Sequence, residues 1–208
     1  MRAWLVVMLS MGLAACVSVG IGTDAPLQAQ YRLHDAAPPL ARRAEPLVPA
    51  LLIQALPADA TADSVAIAYS RRANEFAYYQ LAAWTERPAR QVPRLLQQRL
   101  EARGVAGAVG LVGDPLRSDW LLTLAIDALH HDVRASPGQG RVALTVELFE
   151  RRTRTRMARR QFVIDVPAAS ADAPGAAAAM SVALTQAFDG LLPWLEAELQ
   201  RAATAAPK

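Results

Sequence analysis

The stretch from Ser64 to Arg103, SVAIAYSRRANEFAYYQLAAWTERPARQVPRLLQQRLEAR, constrains the fold more than any other part of the chain. Its hydrophobic period changes partway through. Val65, Ile67 and Tyr69 recur at every second residue, which places them on one face of an extended segment. Arg71, Arg72, Ala73 and Asn74 break that pattern and read as a turn. Phe76, Tyr78 and Gln80 then alternate with Ala77, Tyr79 and Leu81, and aromatic residues suit a pleated, half-buried surface. Pro88 fits the first turn of a helix, where its missing N–H costs nothing. Val92, Leu95, Leu96 and Leu100 follow at helical spacing, with Arg90, Arg94, Gln97, Gln98 and Arg99 between them. Gly104 closes the helix, since glycine tolerates the positive φ that a helix end commonly needs. A strand pair leading into one amphipathic helix demands a sheet for the helix to cover.

The rest of the chain supplies it. Leu51 to Leu56 is an apolar run of strand length stopped by Pro57, after an irregular, Pro- and Ala-rich connection over 35–49. A short strand is expected around Ala108–Val112. Ser118 to Val133 is the longest strand candidate, with Trp120, Leu122, Leu124, Ile126 and Ala128 on one side and Thr123, Asp127 and His131 on the other. A turn at Ser136–Gly140 leads to Val142, Leu144, Val146 and Leu148, alternating with polar positions. Arg151 to Arg156 forms the next turn, and Phe162, Ile164 and Val166 build a last strand that stops at Pro167. These three strands make an antiparallel meander with one buried face. Gly175 to Arg201 is helical, carrying Met180, Leu184, Phe188, Leu191, Leu195 and Leu199 on one stripe, with a kink or break expected near Gly190 and Pro193. The expected architecture is α+β: a mostly antiparallel sheet with two main helices packed on one face, in the order βββ-α-βββ-α.

The N-terminus reads as a targeting segment. Arg2 is followed by a mostly apolar run from Ala3 to Leu13 and by small residues before Cys16. The apolar run is far shorter than the ~20 residues that span a bilayer. Leu13-Ala14-Ala15-Cys16 looks like a bacterial lipobox, and Cys16, the chain's only cysteine, sits where that motif is acylated. The expected organisation is a signal peptide over 1–15, a lipidated cysteine and tether over 16–30, one periplasmic domain over 31–201 and a frayed tail over 202–208. Val17, rather than an aspartate, follows Cys16, which favours the outer membrane. Loss of residues 1–15 removes Arg2 and leaves 21 basic against 19 acidic residues. Lys208 is the only lysine, and this arginine bias fits a GC-rich genome better than a nucleic-acid site, which would pair clustered cations with stacking aromatics.

No residue pattern points to catalysis or a metal. His130 and His131 are adjacent, so they face opposite sides of a strand and cannot share one ion, and near a turn both are expected to be solvated. Ser64, Ser70 and Ser118 lack the glycine elbow of a hydrolase nucleophile. The expectation is therefore a protein that is not an enzyme and carries no cofactor. Two groups remain as candidate partner or self-association sites. Arg154, Arg156 and Arg159, in the cluster from Arg151 to Arg160, read either as an ordinary charged strand face or as a positive patch for lipid phosphate or an acidic partner. Trp84, Tyr78 and Tyr79, with Phe76, read either as core or as an exposed aromatic surface. Tyr78 and Tyr79 point to opposite faces, so only one can be core.

The segment Tyr79-Gln80-Leu81-Ala82-Ala83-Trp84-Thr85-Glu86-Arg87-Pro88, followed by its amphipathic helix, resembles the tyrosine–tryptophan–proline segment of the ABC-type transport auxiliary lipoproteins. That family includes the intermembrane transport lipoprotein of the paraquat-inducible operon. Tyr31-Arg32-Leu33 resembles its entry segment. The resemblance implies a lipid-anchored accessory subunit, held by palmitate-type acyl chains on the periplasmic face of the outer membrane. It implies as partners ABC transporter subunits and an inner-membrane protein with mammalian-cell-entry domains, and assembly of the lipoprotein itself into a ring. A second reading is an envelope lipoprotein that binds a small ligand or aids envelope assembly without a transporter.

Overall fold

The computed structural model describes residues 28–38, 41–58 and 60–205. The expected signal peptide, Cys16 and most of the tether lie outside these residues, as do the last three positions. Ten elements follow in order: β1 (Ala29–Tyr31), β2 (Val48–Ala55), β3 (Ala66–Arg72), β4 (Glu75–Trp84), α1 (Pro88–Arg103), β5 (Ala106–Leu111), β6 (Trp120–Asp132), β7 (Gln139–Glu150), β8 (Thr155–Pro167) and α2 (Ala173–Ala205). The class is α+β; β5 is the short strand expected around Ala108–Val112, and β1 is added ahead of the three strands expected before α1.

The sheet is mixed rather than mostly antiparallel. β6 is its spine. β7 pairs antiparallel along one whole edge of β6, and β8 follows antiparallel outside β7. The other edge of β6 is shared: β2 pairs parallel with Leu121–Leu124, and β3 pairs parallel with His131–Asp132. β5 lies parallel outside β2, β4 antiparallel outside β3, and β1 parallel outside β4. The meander was legible, but the parallel pairs were not. Alternation reports which face a side chain takes, and is silent on the direction of the neighbouring strand. The parallel β2–β5 pair requires a crossover, and α1 lies within it.

The buried face follows from the pleat. Val142, Leu144, Val146 and Leu148 of β7 are wholly buried. Opposite them stand Leu148↔Leu122, Val146↔Leu124, Leu144↔Ile126, Val142↔Leu129 and Gly140↔His131. The pairing slips between Ile126 and Ala128. One extra residue reverses the alternation beyond that point. His131 therefore faces the helices, on the side of Leu122, and not the opposite face as strict alternation expected.

α1 starts with Pro88 and ends at Gly104, whose φ of 72° lets its N–H reach the carbonyls of Leu100 and Glu101. α2 begins two residues early because Asp172 caps it, accepting from the Gly175 N–H at 2.9 Å and the Ser170 hydroxyl at 2.5 Å. Met180, Leu184, Phe188, Leu191, Leu195 and Leu199 are all wholly buried. The helix continues through Gly190 and Pro193 to Ala205, so the expected break is absent and residues 202–205 of the expected tail are helical. Gly190 serves packing instead: a Cβ there would lie 3.2 Å from the Phe162 ring. A Cβ on Gly140 of β7 would lie 2.5 Å from the Met180 nitrogen, so strand and helix meet backbone to backbone there. By length and composition α2 could cross a membrane, but most of its apolar window is buried inside the domain, against β7 and β8.

The described parts of the 35–49 connection are tied to the helices. Arg99, expected on the polar side of α1, is 5% exposed. Its Nη1 donates to both Asp35 oxygens at 2.8 and 3.0 Å and to the Thr185 carbonyl at 3.3 Å, and its Nη2 meets the Asp189 carboxylate. Arg103 adds a 2.7 Å bond to Glu196. The connection is thus clasped at Asp35 between α1 and α2.

Candidate functional site

The candidate residues lie in two regions. The first is the β7–β8 hairpin. Its turn places Arg154 at φ 57°. Arg156 and Arg159 both approach one oxygen of Glu147, at 2.9 and 3.4 Å. Arg152 pairs with Glu150 at 3.4 Å, and Arg151 donates to the Ser118 carbonyl at 2.9 Å. Six exposed arginines thus face two glutamates, and the tip keeps a positive surplus. Arg160 lies over the Phe162 ring, 5.2 Å from its centroid. β8 pairs with β7 alone, so among the described residues its outer edge has no strand neighbour over 13 residues.

The second region is β4 and the strands beside it. Trp84 is 1% exposed and belongs to the core, so burial removes it from the candidate surface residues. Tyr78 and Phe76 are exposed by 41% and 44%. Tyr79 faces the other way, as the alternation requires, and is half-buried. Its hydroxyl lies 2.8 Å from Nδ1 of His131, whose Nε2 lies 3.1 Å from the Pro137 carbonyl. A carbonyl only accepts, so in the neutral ring Nε2 carries the hydrogen and Nδ1 accepts from Tyr79. Burial, and then the Asp172 carboxylate, raises the Tyr79 phenol above its usual pKa, which keeps that proton in place.

His130 and His131 are both buried rather than solvated, because the 133–138 loop folds back over the strand end and Phe76 packs edge-on against His130 at 5.1 Å. They do face opposite sides. Among the described residues no group of three or more His, Cys, Asp or Glu could hold a metal ion. Ser64, Ser70 and Ser118 bond to backbone atoms of Ala66, Arg72 and Trp120 respectively. Sequence reasoning missed Arg99 and the Tyr79–His131 pair. Arg99 had a signal: it stands three residues after Leu96, on the apolar stripe. The Tyr79–His131 contact spans 52 residues and had none.

The fold resembles the crystal structure of a Xanthomonas campestris protein of family DUF330, with a TM-score of 0.75 and 23% identity over 85% of this chain and 100% of that one. A second crystal structure, of an uncharacterized protein, gives a TM-score of 0.63 at 12% identity over 81% of this chain and 99% of that one. No curated protein matches the chain. Residues 31–190, from the entry strand β1 to the middle of α2, match the model of the ABC-type transport auxiliary lipoprotein component, and the chain belongs to that family.

Proposed function

We propose that this protein is an outer-membrane lipoprotein facing the periplasm, an accessory subunit of an ABC-type intermembrane lipid transport system, working by docking and not by catalysis. The observation that carries this reading is the family match over residues 31–190, on a chain that reads Leu13-Ala14-Ala15-Cys16 near its start. Acyl chains on Cys16 each contribute roughly 0.8 kcal/mol per buried CH₂, so two or more hold a soluble domain firmly on a membrane. The partner is an inner-membrane protein with mammalian-cell-entry domains that bridges the periplasm. Copies of the lipoprotein assemble into a ring at its far end and give lipid an exit.

The hairpin supports a docking role. An open sheet edge offers unpaired backbone groups to an extended segment of another chain. The positive tip of β8 selects an acidic one. Arg154, Arg156 and Arg159 are the residues assigned to that contact.

A C-terminally tagged protein recovered from native membranes is expected to bring down the mammalian-cell-entry protein with its ABC subunits. Replacing Arg154, Arg156 and Arg159 together by Gln should abolish that recovery and leave the domain folded. Recovery of the lipoprotein alone would remove the partner assignment, and fractionation with the inner membrane would remove the outer-membrane placement.

A further inference from the structure

Tyr69 and Arg71 of β3 and Tyr79 of β4 come together, although the β3–β4 pairing is irregular between Tyr69 and Arg72. The Tyr69 and Tyr79 rings lie 4.9 Å apart, tilted by 48°. Arg71 lies over the Tyr69 ring, 5.1 Å from its centroid. Tyr79 is fixed in turn by His131, and His131 by the Pro137 carbonyl. A continuous chain of contacts thus runs from the buried strand end to an exposed guanidinium. Neighbouring Arg72 pairs with Glu75 at 3.5 Å, whereas Arg71 makes no ion pair among the described residues. A cavity of about 530 Å³ opens here, and Tyr69, Arg71, Tyr79, Gln80 and Ser136 line it with Val133.

We infer that this cavity binds a phosphate-bearing headgroup, with Arg71 as the cation that grips it. A guanidinium presents a planar fork of donors that matches phosphate oxygens in pairs. Tyr69, Ser136 and Gln80 add polar residues to the lining of the same space. The tyrosine rings and Val133 give an apolar wall for the carbon stem of the headgroup. Asp172, the carboxylate acting on Tyr79 and His131, is turned to the Ser170 hydroxyl and the Gly175 N–H. Stacking on Tyr69 holds Arg71 in place before the ligand arrives, so less freedom is lost on binding. The contact between half-buried Tyr79 and buried His131 thereby acquires a purpose, as the post that supports this wall.

The inference concerns the lipoprotein alone and does not depend on its transport partner. The test uses the full acylated chain in maltoside micelles, which contain no phosphate. Dihexanoyl phosphatidylglycerol and, separately, inorganic phosphate are titrated and followed by calorimetry. Saturable binding is expected, weakened tenfold or more by Arg71→Gln and a few-fold by Tyr69→Phe, with Arg72→Gln as an unaffected control. Arg71 is exposed, and an unchanged Tm shows that Arg71→Gln still folds. Binding of the phospholipid but not of inorganic phosphate identifies a lipid headgroup as the source; comparable binding of both identifies the phosphate oxyanion itself. Equal binding by wild type and Arg71→Gln, or no binding of either probe by wild type, overturns the proposal. That failure would leave recovery of transporter subunits unaffected, so the two readings fail separately.

Discussion

A wholly buried imidazole resists protonation, and burial lowers the pKa of His131 below its usual value of 6.5. The unfolded chain therefore takes up this proton first as pH falls. The stability contributed by neutral His131 is complete above about pH 6.5 and is lost as pH falls through the lower folded value. Asp132 adds a second acid-sensitive step, because hydrogen bonds from Arg134 hold its carboxyl at about 2. Its contribution is present above the usual carboxylate range and disappears as pH falls toward 2. Thermal unfolding followed against pH should show a decline in Tm below pH 6.5 and a further one below pH 4. His131→Gln should flatten the first decline and leave the second. Tyr79→Phe strips the donor from a buried Nδ1 and should cost about 1–2 kcal/mol in urea unfolding. The sequence showed that His130 and His131 face opposite sides, because that is a property of any strand. It did not show that both are covered, since the covering loop and Phe76 come from elsewhere in the chain.

At the scale of elements, two contacts decide how the helices sit. Gly140 lets α2 approach β7 until a Cβ would collide with the Ala179 carbonyl carbon at 2.6 Å. Gly140→Ala must push a helix off a sheet and should destabilise by about 3 kcal/mol, at the upper end of overpacking costs. Arg99 joins α1, α2 and the 35–38 segment through two carboxylates, and Asp35 is 14% exposed while Asp189 is 56% exposed. Asp189 is screened by solvent, so Asp35 dominates the balance. Arg99→Ala should cost about 3 kcal/mol by leaving a largely buried carboxylate unpaired, and Arg99→Met combined with Asp35→Asn should recover part of it. Denaturant midpoints of the single and double variants measure both effects. Helix and strand positions were legible here because Met180-to-Leu199 and Val142-to-Leu148 keep strict periods. The parallel pairing of β2 with β5 and β6 escaped, because it joins residues more than 50 positions apart and no local pattern encodes it.

For the whole molecule, a basic hairpin lies at one sheet edge and an arginine–tyrosine cavity near the other, and the hairpin predicts a salt response of its own. Capture of a partner through Arg154, Arg156 and Arg159 should weaken steeply as ionic strength rises from about 0.05 to 0.5 M, because exposed charges more than a few ångströms apart are screened. Pull-downs across that range check it. The general layout was readable from the sequence, and so was the arginine cluster. What the cluster sits on was not: the open edge of β8 becomes visible only once every other strand has found its neighbours.

The entry strand β1 has a mechanical consequence. It is held by three paired residues against Ala82–Trp84, and just beyond it Leu33 is wholly buried and its carbonyl accepts from the Gln91 side chain at 2.7 Å. Tension applied from the N-terminal side reaches β1 before any other described element. A pull in an optical trap should release this short strand first and stop at Leu33, lengthening the leash by several residues while the domain stays folded. In the bridging role proposed above, a widening gap between the two membranes would be taken up at this strand, with the core spared.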